Sequence, residues 1–182
     1  MGMEAMSIDD VPNRERSKRV SLPHWMTPIV VTVLFLLVHV ALPWALSSLS
    51  ARHGWVDGRP GPWNLLALVL VVAGIAGTLW MMALHILASP GSFVELRPTR
   101  QLLTPGPYAA SRNPMYLFEL TFWFGWALFC GSIAVLIGFL LWLSMFHFVI
   151  VPWEERDLEA RFGDAYRAYK ARVPRWLGLP RR

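Results

Sequence analysis

Four apolar stretches, at about residues 28–46, 63–88, 115–130 and 132–151, constrain this chain more than any other feature of it. A helix needs about 20 residues, at about 1.5 Å each, to cross the hydrocarbon layer of a bilayer. By that measure the second stretch is comfortably long and the third is short. Only Gly131 separates the third from the fourth, which predicts a tight helical hairpin across the membrane. Composition agrees, because 55% hydrophobic residues, 16% charged residues and a mean hydropathy of +0.41 exclude an ordinary soluble domain. Ten Trp, ten Phe and four Tyr gather towards the ends of apolar runs, where amphipathic rings favour the headgroup layer and act as anchors. The expectation is an all-α membrane protein with four transmembrane helices. Pro43 predicts a kink, and the pairs Gly74/Gly77 and Gly125/Gly131 predict close helix approaches.

The distribution of Lys and Arg sets the orientation. With four spans, the N-terminal tail, the second connection and the C-terminal segment share one side, and fifteen of the seventeen basic residues fall there. Basic loops stay cytoplasmic, so both termini are expected inside. Residues 1–22 have no apolar periodicity and read as a disordered basic tail, with Arg14, Arg16, Lys18 and Arg19 close to the first span. That tail also resembles the charged front of a secretory signal, with small residues at 47–51 as a cleavage site. The late, spanning-length apolar run favours a retained first helix. Residues 23–182 read as a single domain.

The orientation puts the two polar, motif-rich segments, residues 89–113 and 152–182, on one face. The second reads as an amphipathic helix over about 152–173. Pro152 suits the first helical position, Glu154, Glu155 and Asp157 complement a helix start, and Leu158, Phe162, Tyr166 and Tyr169 recur at helical spacing, with Pro174 as the stop.

A net charge of +5 is explained by membrane orientation, and nothing in the chain resembles a nucleic-acid reading motif. The single Cys130 has no disulfide partner and reads as a packing residue. His39, His85 and His147 lie in three apolar runs without ligand spacing, so interhelical hydrogen bonding is expected rather than a metal. Glu119 sits one turn into the third span, where an ionisable group is costly and faces the bundle interior. Either it orients an acceptor or takes a proton from an amine, or it pairs structurally, with Arg112 as one option.

The segment Thr104-Pro105-Gly106-Pro107-Tyr108, followed by Ser111-Arg112-Asn113-Pro114-Met115-Tyr116, freezes an irregular backbone beside a span and offers hydrogen-bond donors there. A ligand clamp and a simple stop-start connection are both compatible with it. The stretch resembles the GPY…R(H/N)PMY motif of the isoprenylcysteine carboxyl methyltransferase and phospholipid N-methyltransferase superfamily. Glu154-Glu155-Arg156-Asp157-Leu158, with Phe162-Gly163-Asp164-Ala165-Tyr166 and Tyr169, is similar to that family's EE-x-x-L…FG-x-x-Y-x-x-Y element. Gly74-Ile75-Ala76-Gly77-Thr78 resembles, more weakly, a glycine motif of the phospholipid branch. The resemblance spans roughly residues 74–176.

The resemblance implies a membrane methyltransferase domain over residues 23–182 that uses S-adenosylmethionine, with a hydrophobic or membrane-embedded acceptor entering from the lipid. Prenylated cysteine, phospholipid amine and small thiol are all open as acceptors. It implies cofactor contacts from Gly106, Tyr108, Arg112, Asn113, Tyr116, Glu154 and Glu155; Arg112 and, from its place in the third span, Glu119 are the candidate catalytic residues. Methyl transfer from a sulfonium is an in-line displacement, so carboxylates suit the cationic donor and Arg112 suits its carboxylate. The sequence departs from the family pattern at Asn113, often His, at Ala109 and Ala110, often basic and aromatic, and at Phe118, often glycine. These departures also fit the alternative of a non-catalytic sensor or assembly factor that keeps the fold. Asn113 does not titrate and is not a general base.

Overall fold

A computed structural model describes residues 26–88 and 102–178, so the N-terminal tail and residues 89–101, with Arg97 and Arg100, lie outside the described residues. The described chain is mostly helical. Its first rod runs through α1 (Met26–Leu36), a π-helical turn at Leu37–Ala41 and α2 (Leu42–Ser47). Pro43 has no N–H for the carbonyl four residues back and its ring crowds that carbonyl, so the helix widens by one residue: the Leu42 N–H reaches Leu37 O instead. The anticipated kink is this π turn.

After α2 comes a two-stranded hairpin that the apolar pattern does not announce. Strands β1 (Trp55–Val56) and β2 (Arg59–Pro60) pair antiparallel around Asp57 and Gly58, both at positive φ. An Asp-Gly pair favours this turn. The second rod is α3 (Pro62–Leu66) and α4 (Leu68–Ala88). The third, α5 (Pro114–Cys130), starts on a proline and ends on Gly131 at φ 57°, a left-handed cap that turns the chain into α6 (Ile133–Met145). Ser132 caps α6 through the Val135 N–H. The side chain of buried Asn64 reaches the His53, Leu128 and Phe129 carbonyls and ties the hairpin end of the molecule to the end of α5.

The expectation of a helix starting at Pro152 is corrected. From α6 the helix passes through a second π turn, Phe146–Ile150, into α7 (Val151–Phe162) without a break. Pro152 again sits just beyond the π turn, so it widens a continuous rod rather than opening a new one. Glu154 and Glu155 therefore do not complement a helix start. The break falls at Gly163, φ 52°, and the amphipathic segment is two helices, α7 and α8 (Asp164–Arg172), instead of one over 152–173.

Packing explains the glycines. Helix α4 makes its most extensive contact with α5. A Cβ at Gly74 would come within 2.5 Å of Phe122 Cβ, and one at Gly77 would overlap the Phe118 ring. A Cβ at Gly125 would meet the Val71 backbone at 2.8 Å. Phe118 thus fills the hollow over Gly77, which moves the need for a small residue from α5 to α4. The innermost cluster is Val71, Phe122 and Trp123, and a second holds Ala127, Cys130 and Val135. Trp123 is a core residue rather than an interfacial anchor, whereas Trp44, Trp63, Trp80 and Trp153 are exposed.

Among the described residues, two helical segments, Pro62–Leu87 and Ile133–Phe162, are long and apolar enough to cross a membrane. Only 33% and 11% of their apolar windows are buried, too little for core helices of a soluble protein. Val69, Val72, Leu87, Leu141 and Phe148 are all more than half exposed. This surface, apolar outside and polar at selected points inside, associates with a membrane.

Candidate functional site

Residues 102–116, the α7–α8 pair and the chain after α8 come together. Pro105 is extended, Gly106 turns at φ 64°, and Gly106–Ala109 forms one 3-10 turn. The chain after α8 then runs alongside the segment leading into α5. The Arg112 N–H donates to Pro174 O at 2.9 Å, and Ser111 Oγ and Asn113 Nδ2 donate to Arg175 O at 3.2 and 3.0 Å. The Asn113 N–H donates in turn to Ser111 Oγ at 3.0 Å. The Asn113 amide is thus spent on the backbone of residue 175. Beneath lies an aromatic cluster of Tyr166, Tyr169 and Val173, with Tyr108 and Leu158 packed on it.

Two carboxylates stand side by side with different partners. Glu154 Oε2 accepts the Tyr116 hydroxyl at 2.8 Å. Glu155, 4% exposed, lies between two guanidinium groups. Arg175 holds it in a fork, Nε to Oε1 at 3.1 Å and Nη2 to Oε2 at 2.6 Å, while Arg112 Nη1 stands 3.1 Å from Oε1. Arg112 Nε and Nη1 are both buried and meet no hydrogen-bond acceptor among the described residues. Bidentate Arg–carboxylate pairs are the strongest of their kind, so Arg175 fixes the position of the Glu155 carboxylate.

A cavity of about 90 Å³ opens beside this group. Its walls include Arg112, Tyr116 and Glu154, closed by His85, Tyr108 and Tyr166. His85 Nδ1 is 2.9 Å from Met81 O, so it carries the ring proton, and the Tyr108 hydroxyl donates to Nε2 at 3.1 Å. The Tyr169 hydroxyl donates to Tyr108 O at 2.7 Å. Burial, and then the nearby Glu154 charge, pushes the Tyr108 hydroxyl well above its ordinary range. Burial and Glu155 push Tyr166 up to about 12, so both walls stay neutral donors.

Of the residues singled out from the sequence, Tyr108, Arg112, Asn113, Tyr116 and Glu154 line this cavity, while Glu155 supports it through Arg112. Gly106 shapes the turn without lining the cavity. Glu119 does not pair with Arg112: its Oε1 accepts the Trp142 indole N–H at 2.8 Å and lies 3.3 Å from His39 Nε2. The three histidines stay apart, on Glu119, on Tyr108 and on Trp176, whose indole donates to His147 Nδ1 at 3.0 Å. From the sequence His85 is expected only to hydrogen-bond, as it does to Tyr108, and Arg175, which grips Glu155, counts only among the basic residues of the C-terminal segment.

A family model described as phospholipid methyltransferase matches residues 63–165, more than half of the chain and the whole run from α3 into α8. The chain belongs to the phospholipid methyltransferase family. This membership places it among membrane methyltransferases, as the paired motifs implied. An uncharacterised protein of Haemophilus influenzae is 36% identical to it over 63 residues, which is 35% of this chain and 100% of that protein. No solved structure matches.

Proposed function

We propose that this phospholipid methyltransferase family member transfers a methyl group from S-adenosylmethionine to a hydrophobic or membrane-embedded acceptor. One observation carries the reading: the cavity is lined both by a buried guanidinium whose Nε and Nη1 lack acceptors among the described residues, Arg112, and by a carboxylate, Glu154. Opposite charges lining one cavity fit a zwitterionic amino-acid group, with Arg112 taking the carboxylate and Glu154 the ammonium. The cofactor's methionyl end is such a group, and about 90 Å³ suits it rather than a whole nucleoside. When bound, the cofactor supplies an electrophilic methyl group on a sulfonium. Glu155 orients Arg112, Tyr116 orients Glu154, and Asn113 holds the covering chain. Tyr108 with Gly106 shapes the entry, and the tyrosine walls exclude water.

The family's description favours a lipid acceptor, and the exposed apolar flanks of α4 and α6 suit entry from the bilayer. Four spans, at α1–α2, α3–α4, α5 and α6, with both termini and the cavity cytoplasmic, fit the charge count. Helix Ile133–Phe162 would extend about 45 Å, beyond a hydrocarbon layer of about 30 Å, so α7 carries Glu154 and Glu155 clear of the lipid. A carboxylate or thiolate acceptor needs no base. An amine acceptor does, and Glu119, beside His39, would take that proton.

Calorimetry on the detergent-solubilised protein tests the cofactor: S-adenosylmethionine and S-adenosylhomocysteine are expected to bind, and failure of both with the fold intact overturns the reading. Mass spectrometry of a lipid extract incubated with methyl-labelled cofactor then identifies the acceptor.

A further inference from the structure

Glu155 has two oxygens, and Arg175 takes both, whereas Arg112 meets one of them without the alignment of a hydrogen bond. Among the described residues, two cations therefore share Glu155, and the Arg112 side chain, 10% exposed, keeps positive charge that this one anion does not match. A buried surplus charge is unfavourable until a counter-charge arrives. The cavity lies on the Arg112 side, lined by Arg112 and not by Arg175 or Glu155. The neighbouring Tyr166 hydroxyl hydrogen-bonds with Arg112 but is neutral and adds no counter-charge, and the carboxylate that lines the cavity, Glu154, is turned to Tyr116.

We infer that Arg175 is a positioning residue that makes the site selective for a carboxylate-bearing ligand: by gripping Glu155 it leaves the Arg112 charge free for the ligand's carboxylate. Without Arg175, Glu155 would neutralise Arg112 and the pull on an incoming anion would fall. The inference rests on the cofactor reading above. It concerns a residue beyond the matched stretch 63–165. The chain around Arg175 is held by its backbone carbonyl, on Ser111 and Asn113, so replacing the side chain leaves those bonds in place.

The test compares S-adenosylmethionine with decarboxylated S-adenosylmethionine by calorimetry on the full chain in detergent, for the wild type, Arg175→Gln and Arg175→Lys. The wild type is expected to prefer the carboxylate-bearing ligand by about tenfold or more, the strength of a charge-assisted pair. In Arg175→Gln that preference collapses towards unity through weaker binding of S-adenosylmethionine, with the decarboxylated ligand little changed. Arg175→Lys, which keeps the charge without the fork, falls between and serves if the Gln variant does not fold. An unchanged preference in either variant, or equal loss of both ligands, overturns the inference while leaving the cofactor reading intact. A wild type that binds neither ligand overturns both.

Discussion

Glu155 is stable as a buried anion only because two guanidinium groups surround it, and each side of that arrangement depends on the other. Removing the carboxylate leaves Arg112 and Arg175 facing each other without a counter-charge. Breaking a buried pair in this way costs about 3–5 kcal/mol. Glu155→Ala is therefore expected to lower the thermal unfolding midpoint in detergent markedly and to abolish cofactor binding. Glu154→Gln should behave differently, because the amide still accepts the Tyr116 hydroxyl: little change in unfolding, with cofactor affinity reduced about tenfold, the value of one charged contact. The tyrosines give a pH dependence. Tyr108, Tyr166 and Tyr169 are raised above the ordinary value of 10.0, chiefly by burial. In the alkaline range the unfolded chain loses these protons first. Stability is thus fully present below pH 10, and is lost as pH rises from there through about 12, where Tyr166 ionises in the folded state. Tyrosinate absorbance should appear together with unfolding, not ahead of it.

At the scale of elements, the two π turns follow one rule. Each lies immediately before a proline, Pro43 or Pro152, and each carries a histidine, His39 or His147, that reaches another element. One extra residue in a turn rotates everything beyond it by about 100°. Pro152→Ala restores a backbone donor, so the π turn is expected to relax to an α turn and rotate Glu154 and Glu155 away from Arg112. Cofactor affinity should fall, and the unfolding midpoint should fall with it, because Glu155 leaves its guanidinium partner. Gly77→Leu, which forces a side chain into the Phe118 ring, is expected to lower stability by about 1–3 kcal/mol in thermal unfolding. The two ends of α5 were legible in the sequence because Pro114 and Gly131 mark them chemically. Continuity across Pro152 was not, since a proline can open a helix or widen one, and only packing on the rest of the bundle selects between these.

For the whole molecule, the prediction is topological. In a Cys130→Ala background, Val56→Cys in the hairpin should react with a membrane-impermeant maleimide in intact cells. Lys170→Cys on α8 should react only after lysis. The reverse pattern would contradict the charge count.

The order of residues alone determined the membrane class, the positions of the apolar helices and both motifs, because these depend on local composition, spacing and turn chemistry. Among the expected site residues, Tyr108, Arg112, Asn113, Tyr116 and Glu154 were legible as members of those motifs. What tertiary structure decided is how charges are shared among them. Arg112 and Arg175 are 63 positions apart yet compete for one carboxylate, and Glu119 finds His39 and Trp142 on other helices rather than Arg112 on its own side. The energy of a buried charge depends on every partner within a few ångströms. No spacing rule along the chain reports those partners, which is why the cavity and its surplus cation emerge only once the helices are packed.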